Sequence, residues 1–521
     1  MLKNNKRLRR WIAVSVGTAC SASLHAAVAT LPGLQIDPLW TYSAGAEGGA
    51  EIVAADPISG RVFVTNNAAA GAIDVLSWST GAFLGSIDVG GAPNSVAVKN
   101  GKVAVAVEAP TVTDPGSVVM FEANTSLAAP VTHSVTVGAL PDMLTFTPDG
   151  SRVVVANEGE PDNGVNPDGS VSIIDITGGL GSASVSHASF TSFNGTELTL
   201  KAEGVRLFDG ISAAADLEPE YVAVSPDGNT AYVSLQEANA LAIVDLTNQN
   251  VTEIVPLGLK DHSVPGQGID ASDKDGVNQV NVFERVFGMY MPDAIDAYAV
   301  GGQTYLVTAN EGDARNEDER IKDLTLDPTL FPDASIQDDD QLGRLEVSTV
   351  DGDIDGDGDY DQLHAYGARS FSIWDSTGNL VWDSGDMIEQ TLISQYPSLW
   401  AAGREDNKGP EPESVELLEL SGRWLAFVGL ERANAVMVFD ITDPTDAFFL
   451  DLITQSGDIS PEGLLAIGPT ESGDGWAYLL VANEVSGTTS AYRVSAVPLP
   501  AGAPLLLSAL AAFGWMRRRN T

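Results

Sequence analysis

The chain has 521 residues, with 71 acidic against 27 basic side chains and a formal charge of −44. So strong an acidic excess repels phosphate and argues against a nucleic-acid partner. It suits metal ions, cationic partners or simply a solvated exterior.

Residues 1–29 read as a secretory leader. Lys3, Lys6, Arg7, Arg9 and Arg10 form its basic start, residues 11–24 its short apolar stretch, and Ala27-Val28-Ala29 a small-x-small cleavage site. The single cysteine, Cys20, falls within this leader. The mature chain is then left without disulfides, thiolate metal sites or a cysteine nucleophile.

One pattern then recurs seven times across a domain placed at residues 30–496. Its third copy is the clearest. Pro141-Asp142 opens a strand, Pro148-Asp149-Gly150 turns it, a second strand ends in Asn157-Glu158, and Ser172-Ile173-Ile174-Asp175 gives a third. The fourth copy has Pro219-Glu220, Pro226-Asp227-Gly228 and Gln236-Glu237. Later copies have Pro292-Asp293 with Asn310-Glu311, Pro412-Glu413 with Leu430-Glu431, and Pro461-Glu462 with Asn483-Glu484. Two degenerate copies come first, marked by Glu51 with Asn66-Asn67 and by Pro93-Asn94 with Glu108. Short strands, Pro-Asp-Gly turns and a fixed period predict an all-β, seven-bladed β-propeller. Residues 39–42 are expected to supply the outer strand of the last blade and so close the ring. Insertions are expected at 178–215, 256–285 and 312–368, with one short helix over 317–324.

Two sets of acids are candidate sites. In an antiparallel blade the start of the first strand and the end of the second share one face. Asp142, Glu220, Asp293, Glu413 and Glu462 should therefore ring one mouth of the channel, with Glu158, Glu237, Glu311, Glu431 and Glu484 outside them. Crowded carboxylates repel unless cations intervene. Lys260, His262, Arg315, Arg369, Lys408 and Arg432 are the bases nearest in sequence. A cation-filled or metal-dependent pocket and a turn-and-salt-bridge repeat for blade packing both fit these marks. The second set is Asp351, Asp353, Asp355, Asp357, Asp359 and Asp361, alternating with glycines. Hard oxygen ligands on a tightly turning backbone suit calcium, although another divalent metal fits the same donors. Gln362 and His364 stand where an EF-hand needs a glutamate, which argues against that motif. No Gly-x-Ser-x-Gly, Walker loop or His-Glu-x-x-His occurs.

From about residue 47 to 494 the chain resembles the choice-of-anchor I family. The resemblance rests on Pro141-Asp142-Met143-Leu144-Thr145-Phe146, Val155-Ala156-Asn157-Glu158-Gly159-Glu160-Pro161 and Asp216-Leu217-Glu218-Pro219-Glu220-Tyr221. It continues in Thr308-Ala309-Asn310-Glu311-Gly312-Asp313-Ala314-Arg315, Gly367-Ala368-Arg369-Ser370-Phe371 and Lys408-Gly409-Pro410-Glu411-Pro412-Glu413. It implies an extracellular propeller, and some relatives carry alkaline-phosphatase labels. It carries no catalytic residues over to this chain.

The end, residues 497–521, resembles a PEP-CTERM sorting signal of the VPLPA type. Val497, Pro498, Leu499, Pro500 and Ala501 precede an apolar run at 502–516 and Arg517-Arg518-Arg519. This resemblance implies a Gram-negative host, recognition by exosortase, transient inner-membrane anchoring through the tail, and release at the cell surface or beyond. The function expected is a calcium-binding propeller that engages matrix polysaccharide or surface proteins. The alternative is a metal-dependent phosphoester hydrolase, with Arg315, Arg369 or Lys408 on the phosphate.

Overall fold

The computed structural model describes residues 33–68 and 71–497. The leader and most of the tail, including Pro498 to Ala501, lie outside the described residues. Leu34–Ala496 forms one compact unit.

Seven four-stranded antiparallel sheets follow one another along this unit. Five are built from consecutive strands, such as Pro141–Phe146, Arg152–Asn157, Ser170–Asp175 and Ser184–Ser189 in the third. The fifth is interrupted, its strands Ile295–Val300 and Gln303–Asn310 being followed by Ser370–Asp375 and Leu380–Asp383. The seventh takes three strands from the end of the chain and its outer strand, Leu34–Ser43, from the beginning. Leu34–Ser43 pairs antiparallel with Thr488–Ala496. The inner strand of each sheet packs on the inner strand of the next, and Pro461–Ile467 returns to Val53–Asp56, so the ring closes. Residues 39–42 fall in the expected outer strand. The fold is an all-β propeller.

Local chemistry explains the blades. In the third sheet Asp149 accepts hydrogen bonds from the Thr147 hydroxyl at 2.7 Å and the Ser151 N–H at 2.9 Å. Asp227 in the fourth sheet repeats this with Ser225 at 2.6 Å and Asn229 at 3.0 Å. Gly150 and Gly228 follow them at φ +70° and +75°, the left-handed region in which glycine is unstrained. The second strand of each sheet is apolar on both faces, because each blade is packed between two neighbours. Val153 and Val155 join the core shared with the second sheet, while Val154 and Ala156 join the core shared with the fourth. The sheets are also stitched at their inner edges. Asn67 donates to the Pro93 carbonyl, Asn94 to that of Pro141, and Ser234 to that of Asp293.

The insertions at 256–285 and 312–368 do not stay separate. They supply four strands of an eighth, five-stranded sheet: Leu259–Asp261, Leu363–Ala365, Glu346–Ser348 and Asp318–Arg320, with Val286–Met289 between the first two. Val286, Ile321, Leu345, Val347 and Leu363 form its core. The helix expected over 317–324 is not formed. Asp318–Arg320 is a strand and Ile321–Asp323 a single 3₁₀ turn. Pairing with Glu346–Ser348 and ion pairs from Arg320 to Glu346 and Asp406 outweigh a weak helical preference. One helix that the pattern does not announce, Met387–Gln395, buries Ile388 and Leu392.

Candidate functional site

The mouth is built by a repeated break in the backbone. The residue before five of the six opening prolines adopts a positive φ, Ala92 before Pro93 being the exception: Leu140 +45°, Glu218 +38°, Met291 +42°, Glu411 +51° and Ser460 +63°. This conformation is costly for a residue with a side chain, and a following proline restricts its backbone further. It turns the carbonyl towards the end of the second strand. Leu140, Glu411 and Ser460 accept there from the N–H groups of Glu158, Glu431 and Glu484, at 2.9, 3.0 and 2.9 Å. The two acidic marks of a blade are thereby clamped together.

The carboxylates crowd as the sequence suggests. One oxygen each from Glu158, Glu220 and Glu237 lies within 4.8 Å of the others, and Asp293, Glu311 and Glu413 form a second such group. Glu311, Glu411 and Glu431 form a third. Their acidities record the crowding. Burial, with repulsion from Glu237, pushes Asp142 up to about 7. Burial and neighbouring carboxylates hold Glu158, Glu220, Asp293, Glu413 and Glu462 well above the ordinary range. Glu51 rises to about 7 and Glu431 to about 6, burial leading in both. Glu237, Glu311 and Glu484 are raised as well, again by burial first.

The bases divide by role. Lys408 donates to Glu311 and lies 3.8 Å from Glu411. Arg432 meets Glu411 at 3.0 Å and Glu431 at 2.7 Å, and Arg404 also grips Glu411. Arg315 holds Asp216 at 2.7 Å and Glu218 at 2.5 Å, with Glu237 at 3.7 Å. Arg369 does not serve the mouth carboxylates. It is 3% exposed, and its guanidinium is spent on the carbonyls of Asp270, Glu405 and Asn407 and on Glu389. Lys260 is likewise buried, on the carbonyls of Ala368 and Gly385 and on Asp383. His262 is pushed down to about 3 by burial and Lys260, so it stays neutral. The three bases expected to bind phosphate are therefore all engaged by protein groups.

Glu218 and Glu411 are central to these pairs, yet the sequence reading passed over them. Their signal was available. Each is the residue before a marked proline, in Glu218-Pro219-Glu220 and Glu411-Pro412-Glu413. Below the mouth, Asp296 and Glu416 act as stitches: Asp296 accepts from the Leu417 N–H at 3.1 Å, and Glu416 from that of Ala466 at 3.0 Å.

The aspartate-rich loop is not one set of ligands. Asp353, Asp355 and Asp357 come together within 4.8 Å, all exposed. Asp359 and Asp361 instead group with Asp327, which the sequence reading did not include. Asp351 stands apart, bonded to Arg206 Nε at 2.7 Å and the Ser348 hydroxyl at 2.6 Å. Asp353 accepts from the N–H groups of Gly356 and Gly358, and Gly352, Gly356 and Gly358 all have positive φ. The glycines thus make the tight turns that gather the carboxylates.

An all-β propeller with an acid-lined mouth is the class that these elements define. The chain belongs to the choice-of-anchor I domain family, whose model matches residues 51–444. It is 31% identical over 202 residues to gigasin-3a of Magallana gigas, covering 32% of this chain and 70% of that protein. It is 28% identical over 330 residues to a mesenchyme-specific cell surface glycoprotein of Strongylocentrotus purpuratus, covering 54% of this chain and 41% of that protein. Similar solved structures include Kuenenia stuttgartiensis hydrazine synthase, at 13% identity and TM-score 0.46 over 87% of this chain and 97% of that one. Another is the WD40 domain of Toxoplasma gondii coronin, at 9% identity and TM-score 0.47 over 90% and 88%. Among the described residues no helix is long and apolar enough to cross a membrane.

Proposed function

We propose that this protein is an exported, surface- or matrix-associated propeller that binds its partners through a calcium-organised face. The observation that carries this reading is the group of Asp353, Asp355 and Asp357, three exposed carboxylates gathered on a glycine-rich turn. Empty, they repel; one calcium removes the repulsion and sets the loop for contact with a polysaccharide or surface protein. Family membership supports a surface-associated role. The name of the sea-urchin relative agrees with it, though this chain spans less than half of that protein. Export through the leader and exosortase recognition of Val497 to Ala501 complete the proposal. Mass spectrometry of protein exported by the native host should find the Arg517-Arg518-Arg519 end removed, and its retention would refute sorting by cleavage. Calcium titration of the loop, described below, tests the binding role. The hydrolase reading has no observation in its favour, since Arg315, Arg369 and Lys408 are each held by protein groups.

A further inference from the structure

The mouth contains two carboxylate pairs that occupy the same register of the repeat. Glu158 ends the second strand of one blade and Glu220 opens the next; Glu311 and Glu413 do the same two blades further on. Each pair gathers a third acid, Glu237 in the first case and Asp293 in the second.

Their counter-charges differ. At the second pair the segment leading into the blade carries Arg404 and Lys408, and Lys408 donates to Glu311. The segment leading to the first pair reads Ala213-Ala214-Ala215-Asp216-Leu217-Glu218, with no base. Counted back from the opening proline, Ala215 stands where the other has Lys408. The cations close by are spent elsewhere: Arg315 on Asp216 and Glu218, 3.7 Å from Glu237, and Arg206 on Glu317, Asp351 and the Glu237 carbonyl. Glu237 is only 5% exposed, and its Oε2 has no hydrogen-bond donor. Turned with its nitrogen inward, the neutral Gln236 amide reaches Glu220 at 3.1 and 3.2 Å. A buried carboxylate oxygen with no hydrogen-bond donor, beside two more carboxylates, carries a cost that Arg315 at 3.7 Å offsets only in part.

We propose that Glu158, Glu220 and Glu237 hold one divalent cation, of the calcium class, in the place that Lys408 fills at the equivalent pair. Donors that are all carboxylate oxygens select a hard cation. Oxygens bound at about 2.4 Å on opposite sides of calcium lie about 4.8 Å apart, and three spread evenly round it about 4.2 Å, so the three need at most a small inward shift to share one ion. This site is separate from the aspartate-rich loop and stands or falls without it.

The test is calcium titration, by calorimetry and by melting, of the full chain carrying Asp353→Ala and Asp355→Ala to silence the loop. One calcium should still bind and raise the melting temperature. Glu220→Gln should then weaken calcium binding by at least about tenfold, as loss of a charged ligand does. Its melting temperature in EDTA should hold or rise, because a repelling charge is gone. A purely structural glutamate would give the reverse: lower melting in EDTA with calcium affinity unchanged. Should Glu220→Gln fail to fold, Glu158→Gln carries the same readout. Absence of calcium binding in the loop-silenced chain, or parental affinity in the glutamine variants, would overturn the proposal.

Discussion

The boundary between the third and fourth blades and that between the fifth and sixth are copies of one design with different neutralisation. Both set a strand-end glutamate against a strand-start acid, and both leave the pair half-buried. One has Lys408 on Glu311, with Arg404 and Arg432 on the adjoining Glu411, and leaves the buried Oε2 of Glu413 without a hydrogen-bond partner. The other has Arg315 and Arg206 at its edge, each paired mainly with other carboxylates. The repeat therefore decides where negative charge accumulates, and the variable segment leading into each blade decides what neutralises it.

Making the two boundaries alike should have the largest effect. Lys408→Met removes the ammonium from Glu311 and leaves buried charge unpaired, which should cost about 3 kcal/mol or more in denaturant unfolding without metal. If the boundaries are equivalent, this variant should also gain a calcium-dependent rise in melting temperature, because its emptied pair now resembles the other. No destabilisation would show that Lys408 is not the counter-charge we assign.

Removing calcium from the exposed loop comes next. At a hundredfold excess over the dissociation constant, one site should add about 2.7 kcal/mol of stability. Chelation should take this away, and Asp353→Ala with Asp355→Ala should remove the loop's share. Magnesium should stabilise less, because it keeps its waters and demands a tighter octahedron. An unchanged response in the double variant would move the calcium elsewhere.

A smaller effect should follow pH. Asp142 and Glu51 hold their protons up to about 7 in the folded chain, whereas the unfolded chain releases them near their ordinary values of 3.8 and 4.5. Between those limits the folded state carries more protons, so stability should fall as pH rises from about 4 to 7 and level off above. Melting in EDTA at pH 5 should therefore exceed melting at pH 8, and calcium should narrow the gap. A rise with pH would contradict the burial assigned to these groups.

Salt should separate the regions by the least. Raising sodium chloride should ease repulsion among the exposed loop aspartates, since the screening length is about 8 Å at physiological ionic strength and shorter above it. The buried mouth should respond less. Calcium affinity measured against salt in the loop and mouth variants gives the comparison.

Much of the fold was legible because its marks are local. A proline before an acid, an Asp-Gly turn and an apolar strand each act through neighbours a few residues away, so short motifs suffice to read them. Even the closing strand could be inferred, since a sheet left one strand short has an open edge to fill. The crowding of acids at one mouth followed from strand direction alone.

Tertiary structure decided which charges meet. Arg369 sits in a conspicuous motif, but it reaches Glu389 on a helix that the pattern did not announce. Asp351 belongs to the aspartate run by sequence and to Arg206 by contact, 145 residues away. Two insertions well apart in sequence share one sheet, because neither can satisfy its strand edges alone. Local hydrogen-bonding rules place each carboxylate on its strand. Only closure of the ring brings distant strands together, and that closure settles which carboxylates meet a basic side chain and which meet only one another.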